Sequence, residues 1–338
     1  MYYNNNDVRL EEMPKPKIGP GEILVRAMAC GICGSDVMEW YRVKKAPRVL
    51  GHEMTGEFVE IGAGVKNYKV GDRAFVSHHV PCNTCRYCLN GFHTACETLH
   101  TTNFDPGGFA EFVRVPPLQV DRGIYLLPGD MSYEVGTFIE PLACCIRGQR
   151  QARVRPGDSI FVIGTGISGI LHIMLARNLG AGMIIGCDIS KYRLDAAKRF
   201  GANAVIDAKD ENVPERLREV NDGRLADKVF VCTGAVKASE TALKCVDRGG
   251  TILFFAVPEP TINLPVNFNE MWRNEITLTT SYGASPADLA TSLELLRTGN
   301  LNVKDMITHR FGLAEAGEAF RLVAKAENSL KVIIEPYR

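Results

Sequence analysis

Apolar positions change rhythm partway along the chain. Up to about residue 145 they come in short runs, at 22–29, 55–61, 73–77 and 110–115, each cut off by a Gly- or Pro-containing loop. That pattern predicts an irregular, strand-rich domain. From Gly157 onward, compact and almost wholly apolar runs at 159–163, 183–187, 204–206, 228–232, 251–256 and 276–281 alternate with segments of helical character. A strand without polar alternation is buried on both faces, so these runs predict a doubly wound parallel sheet covered by helices, an α/β fold. Helix punctuation agrees. The segment 167–179 stops at Gly180, and 191–200 has Ser190 as candidate N-cap and Gly201 as its stop. A further helix runs from Pro286 to about Arg297, and 330–335 closes the chain as a strand. Six strands already fill the parallel sheet, so this tail is expected to return to the first domain. The expected division is 1–147, 148–287 and 288–338.

Composition narrows the function classes. Lys plus Arg and Asp plus Glu number 39 each, so no charge excess points to nucleic acid or to an anionic membrane surface. No apolar stretch reaches membrane-spanning length, and the opening Met1-Tyr2-Tyr3-Asn4-Asn5-Asn6 lacks the plan of a signal peptide. A cytoplasmic location is the expectation. Eleven cysteines are many for a reducing compartment, and four of them crowd together.

Those four, Cys82, Cys85, Cys88 and Cys96, supply enough thiolates from one loop to close a tetrahedral Zn²⁺ shell. A shell of four sulfurs leaves no position for a substrate, so the role expected is structural: tying down an Asn/Gly-bearing lobe with few apolar residues. An iron–sulfur cluster takes the same ligands, but zinc needs no redox partner and fits better. Two other residues stand apart. Cys33 lies in Cys30-Gly31-Ile32-Cys33-Gly34-Ser35-Asp36, and His52 lies beside Glu53 in Gly51-His52-Glu53. On residue types alone, a structural and a ligating role for these are about equally supported.

With these residues in view, the chain resembles the zinc-containing medium-chain dehydrogenase family, closest to its sorbitol and threonine dehydrogenase branches. The resemblance rests on Cys33-Gly34-Ser35-Asp36, Gly51-His52-Glu53 continuing to Gly56, Gly71-Asp72-Arg73, the four-cysteine lobe and Phe138-Ile139-Glu140-Pro141-Leu142. It extends through a Gly-rich loop to Ile307-Thr308-His309-Arg310-Phe311 and so spans essentially the whole chain. It implies a GroES-like catalytic domain joined to a Rossmann coenzyme domain, with two zinc ions per chain. Cys33, His52 and Glu140 would be catalytic zinc ligands, with Glu53 competing for or exchanging at the fourth position. A thiolate and a carboxylate neutralise Zn²⁺, and such a centre lowers the pKa of a bound hydroxyl by many units, as for water from about 16 to about 7. Ser35 matches the hydroxyl that takes the alcohol proton and hands it to the nicotinamide ribose. Many relatives end that relay at a histidine five residues after the cysteine, where this chain has Met38. His79 matches a histidine of the threonine dehydrogenases. His78, His93, His100, His172 and His309 are expected to be structural or solvent-facing.

The Gly-rich loop, Gly164-Thr165-Gly166-Ile167-Ser168-Gly169, follows a predicted strand and opens a predicted helix, and Asp188 lies nineteen residues beyond Gly169. That context is the dinucleotide fingerprint: Gly164 for the turn, Gly166 for approach to the pyrophosphate, Gly169 for helix packing. Asp188 is expected to accept from the adenosine ribose hydroxyls and to repel a 2′-phosphate, favouring NAD over NADP. By resemblance, Arg193 packs near the adenosine. Thr233, Ala256 and Val257 end strands where the nicotinamide is expected, although plain loop packing explains them equally well.

The function expected is oxidation of a small secondary alcohol or polyol to a ketone, with hydride transfer to NAD. A threonine 3-dehydrogenase-like oxidation of an amino alcohol is the rival within enzymes, and a non-catalytic NAD-binding protein is the rival outside them. Sorbitol itself is disfavoured, because Thr280-Ser281-Tyr282-Gly283 lacks the arginine often found there in that branch. The resemblance implies a homo-oligomer, tetramer before dimer, paired through edge strands near 276–281.

Overall fold

The computed structural model describes residues 1–209 and 212–338. Two compact units emerge, one of Met1–Ala143 with Ala284–Arg338 and one of Cys144–Gly283.

The strand Ile23–Gly31 is the hub of the first unit. It pairs antiparallel with Glu53–Ile61, with Phe112–Val115 and with the chain's last strand, Lys331–Ile334. Its two ends are wholly buried, while at its centre Val25 and Ala27 are buried and Arg26 and Met28 half-buried. Val25 and Ala27 join Met54, Phe58 and Val113 in one core, while Ile32, Phe320, Val332 and Ile334 form another. Burying each large apolar side chain contributes about 1.5–3 kcal/mol against its exposed state. The sheet continues outward through Arg73–Val76 to Ile124–Leu126 on one side and to Ile307–Phe311 on the other. All four predicted runs are strands here. Ile124–Leu126, Ile307–Phe311 and the N-terminal hairpin Tyr2–Asn4/Asp7–Val8 are further strands that the apolar pattern did not mark, because they are mostly half-exposed and mixed in polarity. The tail Ala284–Arg338 belongs to the first unit. It lays Ile333 opposite Gly31.

The second unit is a six-stranded sheet, parallel at every pairing, ordered Ala204–Asp207, Ile184–Asp188, Ile160–Ile163, Ala226–Val231, Val246–Phe254, Thr277–Thr280. Every predicted run is a strand. Val246–Phe254 begins earlier than its apolar part, because Asp247, Arg248 and Gly249 carry the strand through an irregular stretch in which Arg248 and Gly249 are exposed. The strand order reverses between Ile160–Ile163 and Ala226–Val231, the switch point at whose carboxyl ends such sheets bind ligands. The helices Ile167–Asn178 and Lys191–Arg199 stop before Gly180 and Gly201, both at positive φ (+81° and +113°). Pro286–Arg297, in the first unit, opens on a capping box between Ser285 and Asp288. Among the described residues no helix is long and apolar enough to cross a membrane.

Candidate metal and coenzyme sites

The first site is built by register. Gly31 lies opposite Glu53 in the hub pairing, so the turn that follows Gly31 comes beside His52 and Glu53. That turn is fixed locally: Asp36 Oδ2 accepts from the Cys33 N–H at 3.1 Å, and Cys33 Sγ accepts from the Ser35 N–H at 3.4 Å. Gly51 holds φ at +93°, and a Cβ there would come 2.8 Å from the Phe109 nitrogen, so only glycine turns the chain into His52. As a result one donor atom each from Cys33, His52 and Glu53 lie within 4.8 Å of one another. Glu140 stands half-buried in the first turn of the helix Ile139–Gln151, outside that trio.

Charged neighbours brace His52 and Glu53. Asp36 is fully buried, with Oδ1 3.3 Å from His52 Nδ1, which leaves Nε2 to face a metal. Burial alone would depress the His52 imidazole, but the Asp36 carboxylate and the Cys33 thiolate outweigh it and hold its pKa well above 6.5. On Asp36 itself burial acts upward, and His52 with Arg42 brings the pKa below the ordinary 3.8. Glu53 is fully buried and ion-paired through Oε2 to Lys331, which is itself fully buried. Lys331 Nζ also lies 5.0 Å from the centroid of the Phe138 ring. Glu53 Oε1 has no hydrogen-bond partner among the described residues, a buried oxygen left for a cation. Gly31 makes room for the pair, since a Cβ there would come 2.2 Å from Glu53 Oε2. Oxygen, imidazole and thiolate donors with one open carboxylate oxygen fit a catalytic zinc.

Ser35 Oγ is 3.4 Å from Cys33 Sγ and accepts from Arg42 Nη2 at 2.8 Å. Met38 caps the short helix Glu39–Arg42 by position and makes no side-chain cap bond. The ring that meets His52 is that of His78, at 4.8 Å between centroids, and His79 stacks on His78 at 3.8 Å. Burial, and then the charge of His52, lowers the His79 pKa to about 3. Both imidazoles are therefore neutral at pH 7.

The four cysteines of the lobe form the second group. Cys85 to Cys88 and Cys96 to Cys82 are 3.6 Å apart between sulfurs, and Cys82 to Cys88 is 4.0 Å. A tetrahedron of sulfurs about 2.3 Å from zinc has edges of about 3.8 Å, so the spacing fits the ion. The Thr84 and Cys85 N–H groups point at Cys82 Sγ and draw its thiol down to about 5. Burial pushes Cys88 up to about 12. The thiols alone therefore do not ionise together, and a cation is what would bring them to a common thiolate state.

In the second unit Gly164 has φ +91° and its N–H donates to the Cys187 carbonyl at 2.8 Å. A Cβ on Gly169 would sit 2.0 Å from the Gly164 oxygen, the close packing expected of the third glycine. Gly166 N-caps the helix Ile167–Asn178 with no side-chain cap bond, so the helix opens on N–H groups of the kind that favour an anion. Asp188 ends its strand and is almost buried. Its Oδ2 accepts from the Thr165 N–H at 2.8 Å and its Oδ1 from the N–H groups of Ile189 and Ser190 at 2.8 and 2.9 Å. Ser190 takes the N-cap position of the next helix without a side-chain cap bond. Arg193 lies over the loop, its guanidinium 3.5 Å from where a Gly166 Cβ would be. Gly234, next to Thr233, would place a Cβ 3.0 Å from the Val257 oxygen, so these two strand ends adjoin, and Ala256 N–H is held by the Val231 carbonyl.

Comparison with known proteins bears on both units. Residues 19–122 match the alcohol dehydrogenase GroES-like domain, and residues 168–298 match the zinc-binding dehydrogenase domain. A sorbitol dehydrogenase of Bacillus subtilis is 30% identical, over 99% of this chain and 96% of its own. An Aspergillus clavatus protein assigned as D-xylulose reductase A is 34% identical, over 98% and 95%. Among solved structures, a Sinorhizobium meliloti protein assigned to the zinc-binding dehydrogenases and bound to NADP superposes with a TM-score of 0.89 at 27% identity, covering 99% of this chain and 97% of that one. The 2R,3R-butanediol dehydrogenase of Bacillus subtilis gives 0.86 at 27%, covering 99% and 98%. With a GroES-like unit, a Rossmann-like unit and both donor groups in place, the chain belongs to the zinc-binding medium-chain alcohol dehydrogenases of the sorbitol dehydrogenase-like kind, NAD(P)-dependent oxidoreductases acting on CH–OH groups.

Proposed function

We propose that the chain oxidises a small secondary alcohol or polyol to a ketone and passes the hydride to NAD. The observation that carries this reading is the closure of Cys33, His52 and Glu53 donors within 4.8 Å beside the Ser35 hydroxyl. Bound there, zinc supplies a Lewis acid and the nicotinamide a hydride acceptor. The chain's own residues do the rest. Cys33 and His52 hold the metal, Glu53 or Glu140 completes the set, and Asp36 keeps the His52 ring oriented. Ser35 accepts the alcohol proton through its free lone pair and donates its own onward, while His79 lines the pocket as a neutral group. Gly164, Gly166, Ile167, Ser168 and Gly169 cradle the pyrophosphate, Asp188 and Arg193 flank the adenosine, and Thr233, Ala256 and Val257 border the nicotinamide.

NAD is favoured because Asp188 places a carboxylate where NADP carries a phosphate, whatever the coenzyme of the Sinorhizobium relative. Homo-oligomers are supported by the open edge strand Thr277–Thr280, near which Phe268 and Trp272 are 80% and 77% exposed. A tetramer is favoured over a dimer, and a cytoplasmic setting suits the clustered thiols. The test is purified protein with NAD or NADP and a panel of alcohols, polyols and threonine, with and without chelator. Chelator-sensitive NADH formation with a secondary alcohol or polyol is expected. No such formation with any member overturns the reading, and turnover of threonine alone moves it to the amino-alcohol branch.

A further inference from the structure

Beyond the assigned donors, the structure carries a cation fixed on the proton-accepting hydroxyl. Arg42 ends the short helix Glu39–Arg42 and turns back over the preceding turn. Its Nε donates to the Ser35 carbonyl at 2.9 Å, its Nη2 donates to Ser35 Oγ at 2.8 Å, and the same Nη2 lies 3.2 Å from Asp36 Oδ1. The side chain is only 16% exposed, with its Cζ 4.9 Å from the Tyr41 ring centroid. One guanidinium thus fastens the backbone and the hydroxyl of Ser35 and the carboxylate that orients His52. We infer that Arg42 is a positioning residue for the dehydrogenase reaction, setting the direction of the Ser35 hydroxyl and, through Asp36, the aim of the His52 ring at the metal.

The donor count makes the effect directional. A serine hydroxyl has one proton and two lone pairs. Arg42 takes one pair, so the other is the one left to accept from an alcohol, and the single serine proton, which here points at Cys33 Sγ at 3.4 Å, is the one that turns from the sulfur to be given onward. A guanidinium donates hydrogen bonds but neither gives up nor takes on a proton, so Arg42 does not replace the histidine that Met38 displaces. Its charge instead stabilises negative charge as it develops on the oxygens beside it, at a distance where water competes poorly. Lysine could supply the charge but not the fork.

This inference rests on the dehydrogenase reading, and the experiment keeps the two apart. Catalytic-site metal affinity is measured by chelator competition in the full chain for the wild type, Arg42→Met and Arg42→Lys, and turnover is then measured at saturating zinc. Arg42→Met is expected to weaken the catalytic metal about 10-fold, the range seen when an outer partner of a metal ligand is removed, and to leave the four-cysteine metal in place. At saturating zinc it should lose about 100-fold in kcat with KM within about 3-fold, and added methylguanidinium should restore part of that loss. Arg42→Lys should fall between, and it carries the affinity test if Arg42→Met does not fold. Wild-type metal affinity in the variant overturns the inference, whether or not any alcohol is turned over. A kcat loss that methylguanidinium leaves untouched overturns the part concerning Ser35. A wild type that reduces no coenzyme, beside a variant that binds metal more weakly, overturns the dehydrogenase reading alone.

Discussion

The two donor groups of this chain solve the same problem in opposite ways. The four thiols come from one loop of fifteen residues, Cys82 to Cys96, and their hydrogen bonds are to one another and to nearby backbone N–H groups. Leu99 is the one further buried apolar residue in their cluster, and Tyr87, Leu89 and Phe92 are exposed. Cys33, His52 and Glu53 instead come from the turn after one strand and from the entry to the strand paired with it, and Asp36, Arg42 and Lys331 brace them with opposite charges. The geometry of the open site is stored in sheet register and ion pairs. That of the lobe is stored in the metal. A site that must exchange a ligand during turnover cannot also rely on that ligand for its shape.

The comparison breaks first at its strongest point. Cys33→Ala should lower turnover on the order of 10³-fold or more while the melting temperature and the four-cysteine metal stay as in the wild type, measured by kinetics, calorimetry and metal content. An equal loss of fold would mean that the open site also depends on its metal. Cys88→Ala should do the reverse, costing more than about 4 kcal/mol in the lobe and exposing residues 82–96 to proteolysis before the rest of the chain. Lys331→Met sharpens the contrast by leaving the buried Glu53 charge unopposed. A loss of about 3 kcal/mol is expected in denaturant unfolding, largely recovered when Glu53→Gln is added.

The smallest effect supplies a control. Acid will strip metal from both groups, and it also acts on His172, which is fully buried in the other unit beside Gln149 and Phe230. Burial lowers the His172 pKa from 6.5 to about 3. The unfolded ring binds a proton below about 6.5 and the folded ring does not, so its contribution is complete above that pH and is lost as pH falls toward 3. Between pH 7 and pH 5 the loss is on the order of 2 kcal/mol. His172→Leu should remove that part of the acid limb and leave the pH of metal release unchanged. A shift in metal release would tie the two processes together.

How much of this was legible follows from where the information lies. The parallel sheet was readable because its strands are apolar on both faces, and the lobe because its four ligands are neighbours in sequence. Cys33 and His52 needed a family resemblance, since nothing local marks a lone thiol or imidazole as a ligand. The bracing charges were invisible for a different reason. Arg42 sits beside Lys44 and Lys45 in what reads as a solvated basic stretch, and Lys331 interrupts an apolar strand, where a lysine normally signals the exposed face. Their meaning comes from partners: for Lys331, a carboxylate 278 residues away. His78 was set aside with the structural histidines, yet its ring is the one against His52.

The return of the last strand also fixes an order of events during synthesis. The grouped donors of the open site, Cys33, His52 and Glu53, leave the ribosome together, but the cation that balances Glu53 arrives only with Lys331. The lobe has all of its ligands by Cys96 and can take its ion early. The braced form of the open site waits for residue 331, so a chain ended before that point carries the donors for a reactive metal without the partner that settles them.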